Sequence, residues 1–219
     1  MKKFFLVLLA ISTHYVSAQD IILSHAQSYS DNKDSRLYRI EDSTSATYLG
    51  KIEIQGFLQN EVEAFQKFYK KAKTIGANTY IYSTNTDLDG KPVQNLNKEI
   101  RLYYTPNPSE GQNTFSVFNS TKEMKILING KKVLMPKRSY TTYSIDTKED
   151  NYIATRHFLG SRVNIHYKSN QPKQNYQVIS GRLSSDKSGI TGGLIFKSGD
   201  IILLENSYAD FLTIFYNKL

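Results

Sequence analysis

The 219-residue sequence has no cysteine and no tryptophan, and only 5 prolines and 12 glycines. Without cysteine there is no disulfide, no thiolate zinc site, no cysteine nucleophile and no lipidated N-terminal cysteine. Acidic residues are also scarce: 20 Asp+Glu face 28 Lys+Arg, a formal net charge of +8. Beyond the first residues no apolar run approaches the ~20 residues that a helix needs to cross a bilayer. The mean hydropathy of −0.46 likewise excludes a polytopic helical membrane protein. What the chain does have is 16 Tyr and 11 Phe within a 39% apolar content. That is enough apolar surface to offset ordering entropy, so wholesale disorder is excluded. The length suits one large domain or two small ones.

The N-terminus reads as an address. Lys2 and Lys3 precede an apolar stretch, Phe4 to Ile11, and Val16-Ser17-Ala18 supplies compact residues at a cleavage position. This is the pattern of a secretory signal peptide, residues 1–18, with the mature chain starting at Gln19. The expected location is the periplasm or the extracellular space. A compact basic signal without a disulfide framework suits a bacterial exported protein.

Charge and breaker residues divide the remainder. From Asp20 to Glu110 there are 11 Lys+Arg against 12 Asp+Glu, net −1; from Gly111 to Leu219 there are 15 against 8, net +7. The change falls at Thr105-Pro106-Asn107-Pro108-Ser109-Glu110-Gly111. Proline fixes φ and donates no backbone hydrogen bond, so regular structure does not run through this stretch. The reading is a first domain over 19–105, a linker over 106–112 and a second domain over 113–219.

In the first domain, Asn60 followed by Glu63 has capping-box spacing. Val62, Phe65, Tyr69 and Ala72 recur at helical spacing, with Phe68 and Ile75 widening the stripe. Gly76 is placed to end the helix in a left-handed conformation. Strands are expected over 47–54, 79–83 and 100–104, with an edge strand over 36–40. Strand, helix, strand reads as a βαβ crossover, giving one helix on a sheet of three or four strands. The second domain shows no helical pattern. Short β-rich runs recur every eight to twelve residues, as in a sandwich or barrel. They include 114–118, 124–128, 132–135, 140–145, 152–158, 163–167, 176–180, 190–196, 201–204 and 211–216. Asn129-Gly130 signals a type I′ hairpin turn. The expected fold class is therefore α+β: a small βαβ-containing domain followed by an all-β domain, sandwich- or barrel-like.

Tyr48-Leu49-Gly50-Lys51-Ile52-Glu53-Ile54, the helix, and Ala72-Lys73-Thr74-Ile75-Gly76-Ala77-Asn78-Thr79-Tyr80-Ile81 together resemble the small βαβ envelope domains of the YbjQ-like and RcsF-like group. Those domains pair a Leu-Gly strand with a helix ending in Gly-Ala-Asn. The resemblance is confined to positions 47–83 and implies a fold and an envelope location. It implies no catalytic residue, and the cysteine chemistry of sensor members has no counterpart here. The second half resembles β domains of exported Bacteroidetes proteins.

No catalytic constellation emerges, and no cofactor or metal is implied. His25, His157 and His166 remain after signal removal. His157 and His166 fall on adjacent expected strands, but no third zinc ligand joins them. Ser188 to Gly193 is glycine-rich and lacks the Lys-Ser/Thr of a phosphate loop. Asp87, Asp89 and Gly90 echo a calcium loop without its terminal Glu, and Asp146, Glu149 and Asp150 group at a hairpin tip. The feature of interest is basic: Lys122, Lys125, Lys131, Lys132, Lys137 and Arg138 crowd into one short segment, with only Glu123 opposing them. Such a hairpin suits an anionic partner, although lysines also guard edge strands against pairing. The candidate contacts are Lys125, Lys131, Lys132, Lys137 and Arg138.

The expected function is a non-catalytic binding or assembly module of the cell envelope. Its partner is another envelope protein or an anionic envelope polymer, and export argues against nucleic acid. The alternatives are a hydrolase assembled from His157, His166 and Asp146, and an outer-membrane barrel. Expected strands shorter than ~9–11 residues argue against the barrel.

Overall fold

The computed structural model describes residues 20–29, 31–56, 58, 60–83, 97–148, 150–155, 160–179 and 201–219. The signal peptide, His157, the Asp87–Asp89 turn, the Ser188–Gly193 stretch and the strand expected over 190–196 lie outside the described residues.

Three sheets organise the described residues. The first contains β1 (Asp20–Ser24), β2 (Tyr38–Arg39), β3 (Thr47–Gln55), β4 (Thr79–Tyr82) and β5 (Lys98–Tyr104), in the order β1-β3-β5-β4-β2. Helix α1 (Glu61–Thr74) connects β3 to β4. These two strands are parallel to each other, because each pairs antiparallel with β5, which lies between them. The expected βαβ unit is thus a split one, with a third strand inserted. Ile52 and Ile54 of β3 and Ile100 and Leu102 of β5 are fully buried, whereas Lys51, Glu53, Glu99 and Arg101 alternate to the other face.

Helix α1 starts and stops as its sequence requires. The Asn60 side chain accepts a hydrogen bond from the Glu63 amide, and Gly76 follows the C-cap Ile75 with φ +79°. A Cβ at Gly76 would lie 1.8 Å from the Tyr29 carbonyl oxygen, so the position has no room for a side chain. The buried stripe is Ala64, Phe68, Ala72 and Ile75. Phe65 and Tyr69 are half-buried and Val62 is 48% exposed, so the face is rotated from the expected Val62–Phe65–Tyr69 line. Asn78 is a clamp: its side-chain amide donates to the Thr105 carbonyl at 2.7 Å and its oxygen accepts from the Thr105 amide at 2.8 Å.

The second half forms two sheets that pack face to face. One contains β7 (Met124–Ile128), β8 (Lys131–Met135), β10 (Asn151–Thr155) and β11 (Arg162–Ile165), ordered β11-β10-β7-β8. The other contains β6 (Thr114–Asn119), β9 (Ser139–Ser144), β12 (Gln174–Val178), β13 (Ile201–Leu204) and β14 (Asn217–Lys218), ordered β13-β12-β6-β9-β14. Ile126, Ile128, Ile153 and Ile165 of the first meet Phe115, Val117, Tyr176 and Val178 of the second in one buried cluster. This is sandwich packing, with the inward positions set by strand alternation.

The α+β-then-all-β expectation is overturned. The chain is a β-rich fold of several sheets with two short helices among the described residues, and the second helix belongs to the C-terminal half. Residues 211–216, expected as a strand, include the end of α2 (Asn206–Leu212) and the turns after it. The Glu205 carboxylate caps α2 by accepting from the Ser207 and Tyr208 amides. Tyr208, Phe211, Leu212 and Phe215 recur at i, i+3, i+4 and i+7, a helical period hidden by β-prone residue types.

Helix α2 seals two cores. Phe211 and the following Ile214 enter the cluster of the first sheet, while Ala209 and Leu212 pack with Phe118 and Leu204 of the third sheet. The Phe211 ring stacks on Phe68 at 5.2 Å and meets Phe65 at 5.6 Å. The helical cover of the first sheet is therefore completed by a segment from the far end of the chain. Polar ties reinforce it: the Leu37 amide donates to Ser207 Oγ at 3.1 Å, and Tyr216 donates to Glu61 at 2.8 Å.

Candidate functional site

The basic hairpin forms with the turn its Asn-Gly pair demands. Asn129 and Gly130 have φ of 48° and 77°, both positive as a type I′ turn requires. Ile128 pairs with Lys131, and the register continues to Met124 opposite Met135. Alternation then separates two faces. Ile126, Ile128 and Met135 are buried in the sandwich core, with Met124 and Val133 packed against them. Lys125, Leu127, Lys132 and Leu134 occupy the opposite, outer face, where Leu134 is 47% exposed.

Two further strands extend that face. β10 pairs with β7 so that Ala154 lies beside Leu127, and β11 pairs with β10 so that Arg162 lies beside Ala154. One row therefore crosses four strands as Lys132, Leu127, Ala154, Arg162, with charge at both ends and apolar groups between. Three strand spacings separate its end residues by about 14 Å. The Arg162 guanidinium lies 3.8 Å from the centre of the Tyr152 ring, and its Nε donates to Asn164 at 2.9 Å. Arginine stacked this way is oriented while its remaining N–H groups stay available. The eight outward positions of these four strands hold three cations and no carboxylate. Among the described residues, no carboxylate pairs with Lys125, Lys131, Lys132 or Lys137.

The five candidate contacts separate accordingly. Lys125 and Lys132 share the outer face, Lys131 is exposed at the tip, and Lys137 is exposed beyond the hairpin. Arg138 is elsewhere. It adopts φ 53°, its Nε donates to Glu61 at 3.1 Å, and its Nη2 donates to the Leu58 carbonyl at 2.7 Å. It ties the third sheet to the start of α1.

No protein-family model matches the chain. No curated protein matches it. Among solved structures, the orthorhombic crystal form of a Francisella virulence factor, FvfA, aligns at 19% identity with a TM-score of 0.24, covering 41% of this chain and 99% of that one. A superposition that loose carries no argument about fold or role.

Two of the residues considered for hydrolysis border a cleft that adjoins the basic face, since Arg162 and Asn164 line it as well. Asp146 and His166 both line this open cleft of about 400 Å³ between the β9–β10 loop and β11. One Asp146 oxygen accepts from the Lys148 amide at 2.7 Å, a local turn bond. Among the described residues no three His, Asp or Glu side chains group to hold a metal ion. No described helix is long and apolar enough to cross a membrane.

Tyr152 and Arg162 were not legible as part of the basic face. They lie on strands well separated in sequence from the lysines, and only the β7–β10–β11 register brings them together. The available signal was the outward alternation within each strand, which becomes informative once the strand order is known.

Proposed function

We propose that this protein is an exported, non-catalytic binding module of the bacterial envelope. Its outer β11-β10-β7-β8 face would take an anionic envelope polymer. The observation that carries the reading is Lys125. Edge protection accounts for Lys131 and Lys132 on β8, which is an edge strand. It does not account for a lysine on the interior strand β7, facing the same way as Lys132 and Arg162 around Leu127 and Ala154. Cations framing an apolar strip suit a polymer with spaced negative charges and less polar backbone between them. The signal-peptide pattern and the resemblance of residues 47–83 to envelope domains support the location.

The test is retention of the mature protein on immobilised polygalacturonate, with neutral dextran as control, at low and high salt. The expected result is salt-sensitive retention that is lost in the Lys125→Glu/Lys132→Glu/Arg162→Glu variant, whose melting temperature stays close to that of the parent. Retention unchanged by the triple reversal overturns the proposal.

A further inference from the structure

A second cleft lies on the other side of the sandwich, where the third sheet turns away from the second and faces α2. It is open to solvent and has a volume of about 200 Å³. The α2-facing side of this sheet is divided. Phe118, Tyr140, Ile202 and Leu204 form an apolar half on which α2 packs. Thr114, Ser116, Thr142 and Asn175 form a polar half, which borders the cleft. Thr142 is exposed and Thr114 and Ser116 are half-buried, so this half of the face is open to solvent and its hydroxyls are accessible to a ligand.

The opposite wall is charged and held in place. The Arg39 guanidinium donates to Thr213 Oγ1, and that hydroxyl donates to the Asp210 carbonyl at 2.6 Å. The Tyr82 ring lies 5.9 Å from the Arg39 guanidinium carbon. Lys173 Nζ donates to both Asp210 carboxylate oxygens, at 2.6 and 2.7 Å. Burial raises the Asp210 carboxyl above its ordinary value, while Lys173 opposes the rise. With Asp210 ionised the cleft carries one uncompensated positive charge, from Arg39. The Tyr140 ring stacks on Phe118, with centroids 5.3 Å apart and planes 13° from parallel, and forms a flat aromatic border. Ser116 and Thr142 hydrogen-bond to each other at 2.9 Å across the strand pair and leave further hydroxyl capacity towards the cleft.

We infer that this cleft binds a small polyhydroxylated carboxylate of the size of one sugar ring, a sugar acid. Arg39 takes the carboxylate, Ser116, Thr142 and Asp210 take hydroxyls, and the Tyr140 ring packs its face against the C–H face of the sugar. The volume lies below the ~300–1,000 Å³ of sites for larger ligands, which limits the occupant to about a single ring. The one net positive charge selects a monoanion over a neutral sugar.

The experiment is titration of the full mature protein with glucuronate, glucose and acetate, followed by ligand-observed NMR. Saturable glucuronate binding, with glucose and acetate each about tenfold weaker or more, is the expected result. Arg39→Gln should weaken glucuronate to the level of glucose. Because Arg39 also holds Thr213, the Ser116→Val/Thr142→Val variant provides an independent check on the sheet surface and should weaken glucuronate and glucose alike. Glucuronate binding that is lost in the Lys125/Lys132/Arg162 reversal and kept in both cleft variants would place the sugar acid on the outer face and overturn the assignment. No saturable glucuronate binding, equal binding of glucose, or binding indifferent to both cleft variants overturns the assignment.

Discussion

Replacing Phe211 with alanine tests whether α2 is the keystone between the two halves. Phe211 is fully buried, with ring contacts to Phe65, Phe68 and Phe215 at 5.2–5.6 Å. Burying an aromatic side chain contributes roughly 1.5–3 kcal/mol, and each well-oriented ring pair adds about 0.5–1.5 kcal/mol. A cavity left among α1, β2 and α2 cannot fully collapse, because the walls belong to three elements fixed by other contacts. The cost should therefore fall in the ~3–5 kcal/mol range of large buried aromatics. At about 2–4 °C per kcal/mol for a chain of this size, a loss of ~4 kcal/mol lowers the melting temperature by about 8–16 °C. Urea unfolding followed by far-ultraviolet circular dichroism and tyrosine fluorescence measures it. Hydrogen exchange adds the decisive detail. Amides of β3 and of β6 should lose protection together, because α2 covers the first sheet through Phe211 and Ile214 and the third through Ala209 and Leu212. A loss less than half the lower end of that range, or loss of protection confined to the first sheet, would refute the shared-core argument.

Other consequences follow from single positions. Gly76→Ala should cost well over the ~1–2 kcal/mol of a left-handed alanine, because its Cβ meets the Tyr29 backbone at 1.8 Å; Gly130→Ala, with Tyr152 Oη no nearer than 3.6 Å, should cost only about that conformational amount, and paired thermal melts compare the two. Arg138→Gln should lower stability by about 1–3 kcal/mol, since the partly buried Glu61 loses its charged partner, yet leave polygalacturonate retention intact once the protein is folded. Lys132→Glu should do the reverse. Burial raises the Tyr80, Tyr208 and Tyr216 hydroxyls above the ordinary tyrosine value, with nearby Glu61 adding to the rise at Tyr208 and Tyr216. These groups hold their protons in the folded state when the unfolded chain has released them. Their contribution is complete below about pH 10 and falls by about 1.4 kcal/mol per pH unit per residue above it. Urea midpoints should drop steeply from pH 10 to 11, and less so in Tyr216→Phe; a flat profile would contradict the burial of these hydroxyls.

Local chemistry decided the elements whose signals lie within a few residues. Asn60, Glu63 and Gly76 bound α1 because caps act over a single turn. Asn129-Gly130 set the hairpin register because few residue pairs tolerate two positive φ values, and alternation from that register placed Lys125 and Lys132 opposite the buried Ile126 and Ile128. Tertiary structure decided the rest. β5 inserted itself between β3 and β4, a choice of strand order on which no local pattern bears. Residues 211–216 are aromatic and β-branched enough to read as a strand, but became the end of a helix and its turns because two apolar surfaces needed one cover. Arg138, sixth in a run of basic residues, left the run when its positive φ turned it towards Glu61. Tyr152 and Arg162 joined the basic face, and Arg39, Lys173 and Asp210 met across the second cleft, through pairings between segments remote from one another in sequence. Periodicity and capping are properties of neighbours along the chain, whereas a binding surface is made by residues that become neighbours only on folding.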